Sequence, residues 1–104
     1  MYRGTTPTLT LTFPIEVSLI KKAYITFRQK NIIKLEKTLA DCEIDSENPN
    51  IVLLPLSQEE TLKFDEGIVY CQARCIFNDS SNTTMATTIE ELYVEDVLKE
   101  GVIT

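Results

Sequence analysis

The sequence predicts an all-β fold: an immunoglobulin-like antiparallel β-sandwich of about seven strands, with one short helical turn between strands E and F. Short segments rich in β-branched and aromatic residues recur along the chain, and polar turn segments separate them. Hydrophobic residues make up 43% of the 104 positions, which is ordinary for a globular domain. We therefore expect one domain over residues 1–104, with an amino-terminal arm at 1–6 and a carboxyl-terminal tail at 95–104.

Strand A is the clearest element. From Thr8 to Phe13, threonines alternate with Leu9, Leu11 and Phe13, so the two kinds of side chain fall on opposite faces of a strand. Pro14 ends this strand because proline cannot donate to a ladder. The same reasoning predicts strand B at Lys22–Gln29, strand C at Ile32–Lys37, strand D within Asp41–Asp45, strand E at Ile51–Leu56, strand F at Ile68–Phe77 and strand G from about Thr83 to Val94.

Two connections carry specific signals. Lys30 and Asn31 predict a two-residue hairpin loop between strands B and C, because asparagine tolerates a positive φ. Ser57 and Glu60 form a capping box, which predicts the helical turn before strand F. Strand F itself carries a face of small residues that we expect to pack closely against the other sheet: Val69, Cys71, Ala73 and Cys75.

Composition argues against several classes of function. The net charge of −6 and the scattered basic residues argue against a nucleic-acid partner. The longest apolar run, Ile51–Leu56, contains a proline and is too short to cross a bilayer. We see no secretion signal, so we expect a soluble protein that is cytoplasmic when made and has no membrane partner. Without histidine there is no nucleophile–base pair and no complete zinc ligand set, so we expect no enzyme and no cofactor.

An acidic segment is the one candidate for a cation site. Asp41, Glu43, Asp45 and Glu47 occupy alternate positions, which would place four carboxylates on one face of an extended segment. A calcium loop also alternates carboxylates, but it needs a glycine and a glutamate where Ser46 and Val52 stand. A solvated strand face is the favoured interpretation, and we predict no metal.

The two ends of the chain are the candidates for a protein interface: Tyr2, Arg3, Val97, Leu98, Val102 and Ile103. We expect the arm to lie beside a sheet edge, where Arg3 would pair with the acidic segment of the next copy. Two alternatives remain open for the apolar tail. It either folds back onto its own sandwich, which is the favoured interpretation, or docks on a neighbour.

Four stretches together resemble a family of small proteins from phage and prophage tail modules of Gram-positive bacteria: YRGTTPTLTLTFP, AYITFRQ, LSQEETLKFDEGIVYCQARC and VEDVLKEGVI. The first is also similar to the opening of phage baseplate upper proteins, whose immunoglobulin-like amino-terminal domain anchors fibres. The resemblance implies a non-enzymatic tail- or baseplate-associated adaptor or accessory component that could end up in the virion. Its implied partners are other phage structural proteins or copies of itself in a homo-oligomer.

The alternative is a ligand-binding sandwich, for example a carbohydrate-binding module. Such modules stack sugars on aromatic rings gathered on one face. Here there is no tryptophan, and Tyr2, Tyr24, Tyr70 and Tyr93 lie on separate segments of the sequence. We therefore place this alternative second.

Overall fold

The computed structural model describes residues 1–104 and has the antiparallel β-sandwich architecture that the sequence predicts. Short 3-10 turns at Val17–Leu19 and Leu39–Asp41 link some of the strands. The elements are β1 (Thr8–Thr12), β2 (Ile20–Gln29), β3 (Ile32–Thr38), β4 (Glu43–Ile44), β5 (Ile51–Pro55), α1 (Gln58–Thr61), β6 (Gly67–Phe77), β7 (Thr84–Ala86) and β8 (Glu90–Val94).

Two sheets form the layers. The smaller sheet has the order β1-β5-β4, and the larger has β3-β2-β6 with β7 and β8 both paired to the far side of β6. The order differs from an immunoglobulin domain, in which the second and third strands lie in different sheets. Here β2 and β3 form one hairpin, because Lys30 and Asn31 take positive φ angles of 53° and 64°. A two-residue loop cannot cross between layers, so the hairpin fixes this partition.

The core lies between the two sheets. Sixteen buried hydrophobic residues form one cluster, and Phe27 and Phe64 meet in it with ring centroids 5.9 Å apart. Fully burying an aromatic or aliphatic side chain of this size contributes roughly 1.5–3 kcal/mol. The small face predicted for strand F is confirmed, because its four residues are all buried: Val69, Cys71, Ala73 and Cys75.

Strand G is divided into two strands, which the sequence does not predict. Three residues, 87–89, lie opposite only two residues of β6, so the edge carries a one-residue bulge. Thr87 stabilises the bulge: its hydroxyl accepts from the Ala73 amide at 3.0 Å and its own amide donates to the Ala73 carbonyl at 2.9 Å. A threonine hydroxyl thus replaces a backbone acceptor of the ladder.

The corner from α1 into β6 has the capping box that the sequence predicts. Ser57 Oγ accepts from the Glu60 amide at 3.1 Å, and the Glu60 carboxylate accepts from the Ser57 amide at 2.9 Å. Buried Gln29 holds the other side of the corner. Its side-chain amide donates to the Asp65 carbonyl at 2.7 Å and accepts from the Asp65 amide at 2.8 Å. These are the two backbone hydrogen bonds that a residue of a neighbouring strand would make.

Candidate interaction site

The amino-terminal arm lies along the end of β8 in its own chain. Tyr2 and Glu95 form a parallel bridge. The Glu95 amide donates to the Met1 carbonyl at 2.7 Å, and the Arg3 amide donates to the Glu95 carbonyl at 2.9 Å. The Met1 ammonium group also donates to the Tyr93 carbonyl at 2.9 Å. The arm therefore extends the larger sheet by one short strand.

Arg3 joins three segments of the chain. Its Nε donates to the Phe64 carbonyl at 2.6 Å, and one terminal nitrogen contacts the carboxylates of Asp96 at 2.8 Å and Glu100 at 3.0 Å. Only 14% of the side chain is exposed. Hydrogen bonds that Arg3 donates to these carboxylates raise the pKa of Arg3, and the bond from Arg3 lowers the pKa of Asp96. Arg3 thus finds carboxylate partners in its own tail.

The tail is tied back through its backbone while several apolar side chains stay outside. Gln58 donates to the Ile103 carbonyl at 3.1 Å and accepts from the Ile103 amide at 2.9 Å. Val97 is half-buried and approaches Gly4 of the arm. In contrast, Leu98 is fully exposed, and about half of the Val102 and Ile103 surfaces face solvent. The backbone follows the fold-back alternative, and the exposed side chains leave docking on a neighbour open.

The acidic segment is not one continuous extended strand. Asp41 lies in a 3-10 turn, where its carboxylate accepts from the Thr38 amide at 2.8 Å, and this bond lowers the pKa of Asp41. Asp45 accepts from the amides of the turn that follows, at 2.8 and 3.3 Å. Only Glu43 falls in β4, and Glu47 lies in a bend beyond it. No group of three or more acidic or cysteine side chains in the structure is placed to hold a metal ion.

The outer face of the larger sheet carries an apolar surface that sequence reasoning missed. Cross-strand register places Ile33 opposite Arg28, Arg28 opposite Tyr70, and Ile68 opposite Tyr93, all on the face away from the core. By the same alternation, Glu95 and its partner Tyr2 continue this face. We call these exposed residues the tyrosine patch: Tyr2, Ile33, Ile68, Tyr70 and Tyr93.

The residues of the tyrosine patch come from four separate segments of the chain, so no local sequence pattern predicts the patch. Tyr70 and Tyr93 lie 23 positions apart, yet they are diagonal neighbours on adjacent strands. The one local signal was the pair Ile68 and Tyr70, because both stand at outward positions of β6 where polar residues are usual. The exposed fraction is 37% for Tyr70 and 56% for Tyr93.

Three ionisable groups with shifted pKa values are held by burial or by structural contacts. Burial raises the pKa of the Cys71 thiol to about 12 and that of Cys42 to about 11, so both stay protonated and unreactive at neutral pH. Burial would raise the pKa of Glu60, but hydrogen bonds from Lys37 and Ser57 outweigh it, and the pKa lies below its usual value. This carboxylate is engaged in an ion pair and a helix cap.

No helix in the structure is long and apolar enough to cross a membrane. Comparison with protein-family models, with curated proteins and with solved structures gives no match to this chain.

Proposed function

We propose that this chain is a non-enzymatic structural or assembly component of a phage or prophage particle, associated with the tail or baseplate. It acts through contacts with other structural proteins or with copies of itself. The phage assignment comes from the resemblance of the sequence. Action by contact is supported by one observation above the others, the tyrosine patch on the outer face of the larger sheet.

The tyrosine patch has the composition of a protein interface. The solvated face of an antiparallel sheet usually carries polar side chains, whereas this one exposes three tyrosines and two isoleucines. Tyrosine is enriched in the energetically important parts of protein interfaces, because its ring buries a large apolar area while its hydroxyl stays hydrogen-bonded. Arg28 lies between Ile33 and Tyr70. Arginine, like tyrosine, is enriched among the interface residues that contribute most of the binding energy. The patch thus combines apolar anchors with a polar group that fixes orientation.

Particle composition tests the proposal. Phage particles are induced from the encoding strain, purified by density and analysed by quantitative mass spectrometry. We expect this chain in a fixed ratio to a major tail protein. Its absence from purified particles, together with good expression in the cell, would overturn the particle assignment.

Matched variants test the role of the tyrosine patch. Tyr70→Ser combined with Tyr93→Ser removes two anchors, and Tyr24→Ser is the control because Tyr24 is 43% exposed on the same face at its other end. We expect the double variant to lower incorporation at least about tenfold, as for loss of interface anchors, while the control incorporates normally. Equal incorporation of all three proteins would show that the contact lies elsewhere.

One observation favours carbohydrate binding as a second candidate. The structure brings Tyr70 and Tyr93 onto adjacent strands, so two aromatic rings share a face although they are distant in sequence. Calorimetric titration with cell-wall oligosaccharides distinguishes this candidate. Saturable heat that disappears in the Tyr70→Ser variant would favour sugar binding, and absence of heat at millimolar ligand would exclude it.

A further inference from the structure

Strand β1 presents an unpaired backbone edge. The Phe13 amide donates to the Asn50 carbonyl at 2.8 Å, and the Pro7 carbonyl accepts from the Leu56 amide at 2.9 Å. Hydrogen-bonded residues alternate along an antiparallel strand, so the odd-numbered residues of β1 bond to β5. The amides and carbonyls of three threonines therefore point away from the sheet and have no partner: Thr8, Thr10 and Thr12.

The other sheet edges carry the usual protection against strand addition. β3 carries the charged residues Lys34, Glu36 and Lys37 as well as a register shift. β4 has only two residues, and its neighbours are acidic. The bulge interrupts the β7–β8 edge, and the arm covers the far end of β8. β1 is five residues long and has no charge, no bulge and no covering segment.

A groove of about 380 Å³ runs along this free edge, between β1 and the bulged strand of the other sheet. We call it the β1 groove. Its floor includes Leu9, Leu11 and Leu92, which are half-buried, and the inward face of β6. Its rim carries Glu90, which lies opposite inward-facing Cys71, whereas the Glu91 side chain lies on the outer face beside Tyr70; no lysine or arginine lines the groove. The groove thus has the free backbone amides and carbonyls of β1 along one wall, an apolar floor, and negative charge on the opposite rim.

We propose that the β1 groove binds an extended, basic segment of a partner protein, which pairs with β1 as an additional strand. Main-chain hydrogen bonds to the three threonines supply affinity, and alternate apolar side chains of the segment fill the floor. Lysine or arginine on the segment pairs with Glu90. This inference concerns a different surface from the tyrosine patch and does not depend on the particle assignment.

Charge selects this occupant over a second copy of the chain. Antiparallel pairing of β1 with its own copy would place the two inner layers on the same side of the merged sheet. The rims with Glu90 would then approach each other, and like charges would oppose the contact. The net charge of −6 on each copy adds to this repulsion.

A peptide library provides the test. Random linear peptides of about ten residues, long enough for one strand, are displayed on yeast and sorted on the labelled full chain. We expect enriched peptides to alternate apolar and polar residues and to carry lysine or arginine. Amide hydrogen exchange, measured by NMR with a synthetic copy of the best peptide, should slow at the free-edge threonines Thr8, Thr10 and Thr12.

Thr10→Pro removes one outward amide without removing a bond to β5, so an edge strand tolerates it. We expect the affinity for the peptide to fall at least about tenfold. Thr10→Val keeps the amide and is the matched control. Glu90→Lys is a second variant that leaves the β1 backbone intact, and we expect it to weaken the binding of basic peptides about fivefold. Thermal unfolding confirms that each variant is folded.

Four results would overturn the inference: no peptide is enriched, the enriched peptides bind Thr10→Pro as well as wild type, Glu90→Lys leaves their affinity unchanged, or exchange slows elsewhere. Sedimentation showing a dimer that Thr10→Pro dissolves would assign the groove to a second copy and would also overturn it. Particle incorporation is scored separately. A chain present in particles whose Thr10→Pro variant binds peptide normally would refute this inference while leaving the proposed function in place.

Discussion

Arg3→Ala is the substitution that the structure predicts to be most informative about how the two ends of the chain are held. It removes the Nε donor to the Phe64 carbonyl and both contacts to the tail carboxylates. A hydrogen bond from a charged donor contributes about 1.5–3 kcal/mol. The carboxylates of Asp96 and Glu100 are 52% and 65% exposed, so their pairs with Arg3 add little.

We therefore expect a loss of about 2 kcal/mol in the free energy of unfolding, or about 10 °C in Tm for a domain of this size. Urea unfolding followed by circular dichroism measures the free energy. Arg74→Ala is the control, because Arg74 is exposed in β6 and makes no ion pair; we expect it to stay within about 0.5 kcal/mol of wild type. Equal stability of Arg3→Ala and wild type would refute the claim that Arg3 joins the arm, the corner and the tail.

Salt concentration separates the two kinds of contact that Arg3 makes. At 1 M salt the Debye length falls to about 3 Å, so the pairs with the exposed carboxylates weaken while the partly buried bond to Phe64 is screened much less. Most of the difference between Arg3→Ala and wild type should therefore persist at 1 M salt. Disappearance of that difference would show that the carboxylates, and not the carbonyl, carry the stabilisation.

Two further predictions concern polar contacts, and a third concerns the exposed tail. Gln29→Met should lower the free energy of unfolding by about 2–4 kcal/mol in urea, because it leaves the Asp65 amide and carbonyl without their partners. Glu60 has a pKa below its usual 4.5, so its contribution is complete above pH 4.5 and is lost as the pH falls through the folded-state pKa. Glu60→Gln should therefore flatten the acid side of a stability–pH curve, and an unchanged curve would contradict the ion pair with Lys37. Leu98→Ser should leave Tm unchanged, since Leu98 is fully exposed, and reduced particle incorporation would place the tail in an interface.

Local signals predicted the local structure well. The alternation of Thr8–Phe13 gave β1, the Ser57–Glu60 box gave the helical turn, and the loop at Lys30 and Asn31 gave the β2–β3 hairpin. Each of these depends on residues within a few positions of one another. The same hairpin also bears on topology, because strands joined by two residues must pair in one sheet. Applied at the sequence level, that rule would have argued against the immunoglobulin strand partition.

The sequence did not predict the contacts between distant segments of the chain, and the physical reasons can be named. Arg3 meets Asp96 and Glu100 across more than 90 positions, and no periodicity connects such residues. The bulge at Thr87 depends on a side-chain hydroxyl that replaces a backbone acceptor, which a strand pattern does not reveal. Predicting the tyrosine patch requires the register of four strands, β2, β3, β6 and β8, and the position of the arm. In each case the missing information is which strands are neighbours.

The two proposed surfaces are places where a common rule of β-proteins is not followed. Outward positions of a solvated sheet are usually polar, and the tyrosine patch breaks that rule on the larger sheet. Sheet edges are usually charged, bulged or covered, and β1 alone has none of these features. Both departures expose groups that gain free energy when a partner covers them, whereas the core, the capping box and the Arg3 contacts are satisfied within the chain. Since the exceptions lie outside the parts that hold the fold together, binding explains them better than stability does.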